Sequence, residues 1–168
     1  MNGKPFEVEV KGLDELKAAL QQMPDRIRKR AVAKALLAAG RIVRDEARAR
    51  VPVLSKGTKY RLPGVLKRAI TVRRSKTASR QRMVGVFINV RPLKSVLAGT
   101  KSAARKAALG PVGANNPNDP FYWQYVEFGT RKMRARHFLA DAAKKLPQAA
   151  DIFIAMASAE INKLNTKA

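Results

Sequence analysis

DRIRKRAVAKALLAAGRIVRDEARAR, residues 25–50, is the longest periodic segment of the chain. Ile27, Ala31, Val32, Ala35, Leu36, Ala39, Ile42, Val43 and Ala47 recur at three- and four-residue intervals and form one apolar stripe. Arg26, Lys29, Arg30, Lys34, Arg41, Arg44 and Arg48 lie mostly off it. The pattern predicts a long amphipathic helix with a basic outer face. Pro52 stops it, because proline has no N–H to give a helix interior, while Gly40 weakens it only modestly. A stripe of this length needs cover, and a sheet packed on it supplies that.

On the N-terminal side, residues 6–10 (Phe-Glu-Val-Glu-Val) alternate apolar and polar, as a half-buried strand does. After Gly12, Leu13, Leu16, Ala19 and Leu20 return to helical spacing, with Asp14 and Glu15 in the first turn and Pro24 as the boundary. On the C-terminal side, residues 53–64 read as a loop, rich in Ser, Gly, Thr and Pro. Strands are expected at 70–72 and 83–90, the second rich in β-branched residues, with the basic segment 73–82 as a turn or exposed arm. Residues 91–120 read as an extended loop or arm, within which 95–109 suits a short basic helix. The aromatic segment 121–128 is expected as a third strand ending at Gly129. A C-terminal helix follows, broken near Pro147, with Ile152, Phe153, Met156, Ala159 and Ile161 apolar. The expected class is therefore α+β in a single domain, 1–168: an antiparallel β-sheet packed against one long amphipathic helix, plus a C-terminal helix.

The formal net charge of +23 is unevenly spread. Residues 53–107 hold 15 Lys and Arg and no Asp or Glu, whereas residues 1–52 and 108–168 carry net charges of +5 and +3. A basic stretch without carboxylates cannot neutralise itself. It calls for a polyanion or an acidic protein surface. Lys56, Lys59, Arg61, Lys67, Arg68, Arg73, Arg74, Lys76, Arg80 and Arg82 are the candidate contacts to DNA or to such a partner. There is no cysteine, no apolar run near the roughly 18 residues that span a bilayer, and no signal-peptide pattern, so a cytoplasmic site of synthesis and no membrane partner are expected.

Catalytic chemistry is poorly provided. One histidine and no cysteine leave the common metal sites unbuilt, and no glycine loop cradles phosphate, so no enzyme activity, metal or cofactor is expected. His137 and Asp141, four apart, make a packing or capping pair rather than a dyad, for want of a nucleophile and oxyanion donors. Asp45 and Glu46 are adjacent on a helix and face different ways, which suits surface ion pairing.

Four segments, in order, resemble the tail-completion (neck, head–tail joining) proteins of long-tailed bacteriophages. They are Val8-Glu9-Val10-Lys11-Gly12-Leu13-Asp14-Glu15-Leu16, Gly64-Val65-Leu66-Lys67-Arg68-Ala69-Ile70, Tyr125-Val126-Glu127-Phe128-Gly129-Thr130, and Ala135-Arg136-His137-Phe138-Leu139. Arg134 and His137 stand where that family often has proline. The resemblance implies a non-catalytic subunit of a virion neck ring, six-fold in that family, joining the connector to tail-tube or tail-terminator proteins around the genome channel. It also implies a subunit interface at Glu127, Phe128, Gly129, Thr130, Arg131, Arg134 and Arg136. A non-specific, nucleoid-type DNA-binding protein is the alternative reading of the same charge.

Overall fold

A computed structural model describes residues 13–165. In chain order the elements are α1 (Leu13–Gln21), α2 (Asp25–Arg50), α3 (Val65–Ala69), β1 (Ile70–Arg74), α4 (Lys76–Arg80), β2 (Val86–Val90), α5 (Leu93–Ala98), α6 (Ala103–Leu109), α7 (Trp123–Phe128), α8 (Phe138–Ala142), a 3-10 turn (Ala143–Lys145) and α9 (Leu146–Asn165). The α+β class holds, with one antiparallel sheet of two strands among the described residues. The strand expected at 6–10 lies outside them.

The chain divides into two compact units, interleaved in sequence: Met1–Val43, Val72–Phe87 and Ala143–Ala168 form one, and Arg44–Thr71 with Ile88–Ala142 the other. In the first, α1 packs on α9 around Leu16, Ala35, Ala157 and Ile161, with Leu20, Met23, Phe153 and Met156 against them. Each large apolar side chain buried there contributes about 1.5–3 kcal/mol. Lys34 of α2 pairs with Glu160 of α9, and that lysine's hydrogen bond holds the Glu160 carboxyl below its ordinary range. Small residues carry the buried line of α2: Ala31, Ala33, Ala35 and Ala39 are all covered. Gly40 extends that line for a steric reason. A Cβ there would stand 2.6 Å from Cγ2 of Val72, so the helix rides closer to the hairpin than an alanine allows.

The hairpin register follows from its flanking bonds: Ser75 N–H donates to the Gly85 carbonyl (2.8 Å) and Arg91 N–H to that of Ala69 (2.9 Å). Arg73 therefore faces Phe87, over whose ring its guanidinium stands at 5.2 Å. The segment between the strands, expected as a turn or arm, contains α4, whose N-cap Ser75 accepts from Ala78 N–H (3.2 Å).

In the second unit Ile70, Phe138 and Val90 are fully buried, and Arg48 Nη2 donates to the Ile70 carbonyl (2.8 Å). Residues 91–120 carry two helices, α5 and α6, rather than one. The loop after them is held by two buried polar side chains. Asp119 accepts from Leu93 N–H (3.0 Å) and Gly113 N–H (2.8 Å). Asn116 donates to the carbonyls of Leu109 and Pro111 (2.7 and 2.9 Å). Residues 53–64 contain no helix and close a turn at Thr58–Arg61.

The expected third strand is instead the helix α7. Tyr122 at its N-cap and Val126 within it, four apart, are buried, and Glu127 is buried next to Val126. Adjacent buried residues contradict the alternation a half-buried strand requires. Pro147 is the second residue of α9, where the N–H it lacks has no intrahelical partner to lose.

Candidate polyanion-binding basin and the turn after α7

Five cations converge on one basin of about 350 Å³ in the first unit: Arg26, Lys29 and Arg30 of α2, Arg74 at the end of β1, and Arg82 before β2. Ala33, Ser79, Met83, Val84 and Gly85 complete the lining, and no carboxylate is among these residues. The α2 contribution is a consequence of spacing, since positions i, i+3 and i+4 share one helix face. Arg82 is placed by a tight turn. Its φ is +59°, in the left-handed region that costs an L-residue about 1–2 kcal/mol. The following Met83 N–H donates back to the Ala78 carbonyl (2.8 Å). Asp25, at the start of α2, hydrogen-bonds Lys29 (2.6 Å) and Arg28. The Lys29 bond, with the charges of Lys29 and Arg28, holds its carboxyl below the ordinary value.

Two of the ten sequence-derived cations, Arg74 and Arg82, therefore meet in the basin. Arg73 is turned to Phe87, and Lys76 and Arg80 are exposed on α4. The other five belong to the second unit. Arg61 stands 4.6 Å from the Tyr122 ring centre, Lys59 lies 5.9 Å from that of Tyr60, Arg68 donates to the Pro63 carbonyl (3.2 Å), and Lys56 and Lys67 are exposed. In the sequence Arg26, Lys29 and Arg30 show only as part of a basic helix face. Their shared spacing was visible, but their convergence with 74 and 82 was not.

The turn after α7 is built around Glu127. Its Oε2 accepts from Leu139 N–H (2.9 Å) and its Oε1 from Ala140 N–H (3.0 Å), so the carboxylate caps α8 within its own chain. Gly129 has φ +78° and ψ 178°, a region open essentially to glycine alone. Thr130 and Met133 then close a bridge (N–H to carbonyl, 2.8 Å). Phe128 stays 68% exposed, and Arg131, Arg134 and Arg136 are exposed as well. Asp141 lies 3.9 Å from Arg50, and its N–H donates to the His137 carbonyl (2.8 Å). Asp45 and Glu46 engage Arg44 and Arg50 on α2, as ion pairing on a helix surface requires. Among the described residues no cluster of three His, Asp or Glu side chains gathers to hold a metal, and no helix is long and apolar enough to cross a membrane.

The model of the HK97-gp10-like family, described as "Bacteriophage HK97-gp10, putative tail-component", matches residues 14–129, more than half of the chain. The chain belongs to the HK97-gp10-like family. The match runs from α1 through α7, so it takes in every basin residue and ends at Gly129. Membership in the HK97-gp10-like family makes the protein a bacteriophage tail component, a structural part of the virion that works against other phage structural proteins. It gives no support to a nucleoid-type protein. Neither curated proteins nor solved structures gave a match.

Proposed function

We propose that this tail component is a subunit of the neck ring at the head–tail junction, where copies of it join the connector to tail-tube or tail-terminator proteins around the genome channel. The observation that carries this reading is the basin: five cations in one concavity, with no carboxylate in its lining. Such a surface holds phosphates through charge and through the guanidinium fork, without reading sequence. In a channel that carries every part of the genome in turn, contact that ignores sequence is the useful kind. The exposed Phe128, Arg131 and Arg134 around the Gly129 turn suit the contact between neighbouring copies, while Glu127 supports that turn from inside.

The test is a chain with Arg26, Arg74 and Arg82 changed to glutamate, supplied to a phage lacking its own copy. The variant is expected to fold, to enter particles, and to lower the yield of filled, tailed virions by at least about tenfold. Normal yield, or a ring located by electron microscopy anywhere but between connector and tail tube, overturns the proposal. Loss of the subunit from particles moves the basin's role from DNA to an acidic neighbour.

A further inference from the structure

The second unit carries a different concave surface, of about 410 Å³. Leu54, Leu62, Leu66, Tyr122, Tyr125 and Met133 give it an apolar lining. Four of these are large side chains left open to solvent: Leu54 42%, Leu62 38%, Tyr125 53% and Met133 39% exposed. Single exposed apolar residues are ordinary, but a cluster around one groove marks an interaction surface. Two arginines open onto the same groove, Arg61 and Arg136. Arg61 is preorganised against the Tyr122 ring. Arg136 is fixed at its backbone, whose N–H donates to the Val126 carbonyl (2.9 Å). No carboxylate lines the groove. Glu127, one residue beyond Val126, is buried and already accepts two backbone N–H groups.

The charge decides among occupants. A lipid tail or a neutral peptide would fill the apolar floor and leave both guanidinium groups unanswered. A second copy is a poor source of acidic groups for these two arginines, since its residues 47–118 hold no carboxylate. We infer that this groove docks an acidic segment of a different protein, one that places an apolar side chain among Leu54, Leu62 and Met133 and carboxylates on Arg61 and Arg136. The surface is separate in composition from the basin of Arg26, Arg74 and Arg82, so the inference holds wherever in the tail the chain is located.

The experiment uses the full chain and three labelled peptides of equal length, followed by fluorescence anisotropy at physiological salt. One alternates glutamate with leucine and phenylalanine, the second replaces glutamate by glutamine, and the third replaces the apolar residues by serine. The first is expected to bind at least about tenfold tighter than either of the others, the ratio a charge pair or an apolar anchor supplies. Tyr125→Ala and Arg61→Ala should each remove about that factor, whereas Arg74→Ala with Arg82→Ala should leave it unchanged. If Tyr125→Ala does not fold, Leu54→Ala and Arg136→Ala, both at exposed positions, give the same reading. Equal binding of the serine peptide, or sensitivity to the basin variants instead, means unspecific charge attraction and overturns the inference. So does self-association of the chain that Tyr125→Ala abolishes, which would make a second copy the occupant.

Discussion

The two oxygens of Glu127 take the N–H groups of Leu139 and Ala140 in the first turn of α8, so a single side chain ties the end of α7 to the start of the next helix. Removing it strands both donors. Glu127→Ala should cost about 0.5–2 kcal/mol, the range for a lost helix cap, and Glu127→Gln less, since one acceptor remains. Urea denaturation of the two variants checks the order. Gly129 is bound to the same turn from the other side: a Cβ there would stand 2.7 Å from the Ala135 nitrogen and 2.9 Å from the Met133 oxygen. Gly129→Ala should therefore lose about 1–3 kcal/mol and lower the melting temperature. Asp25 sets an acid limit. Its carboxyl is held below its ordinary value by Lys29, so its contribution is present above that value and is lost as pH falls through the lowered one. Asp25→Asn should therefore lower stability slightly near neutrality and flatten the profile below about pH 4, where variant and parent converge, read from thermal melts. The sequence showed Glu127 and Gly129 as special. It did not show Glu127's partners, because these are backbone groups twelve and thirteen residues onward, and backbone groups leave no trace in composition.

At the level of elements, α2 was legible because 26 residues of one period leave little room for another reading. The hairpin was legible for its β-branched strands. α7 was not: six residues span fewer than two turns, and an aromatic-rich run of that length fits a strand equally well. Burial at 122 and 126, with Tyr125 and Phe128 exposed, is what separates the two. The packing of α2 on the hairpin makes its own prediction. Gly40→Ala gains up to about 1 kcal/mol in helix propensity but presses on Val72, and overpacking costs about 1–3 kcal/mol. The net loss should disappear when Val72→Ala is added, so that the double variant is more stable than the sum of the single changes predicts.

For the molecule as a whole, segregated charge was visible in the sequence, and it pointed to a polyanion or an acidic neighbour. Where that charge gathers was not visible, since the basin combines α2 with a hairpin some fifty residues later. Binding of the isolated chain to double-stranded DNA should weaken steeply with salt. Each phosphate met by a basin cation adds about −0.9 to the slope of log K against log salt, so the triple glutamate variant should flatten it by roughly 3. The interleaving of the two units reaches beyond equilibrium. The first is assembled from three stretches of chain that enclose both stretches of the second. A ribosome cannot finish one unit before it begins the other, and the first unit waits for α9, which follows both stretches of the second and supplies Ala157 and Ile161 to the cluster around Leu16 and Ala35. A cut after Ala142 keeps both stretches of the second unit on one fragment but takes α9 from the first, so the two units should differ in how they survive it.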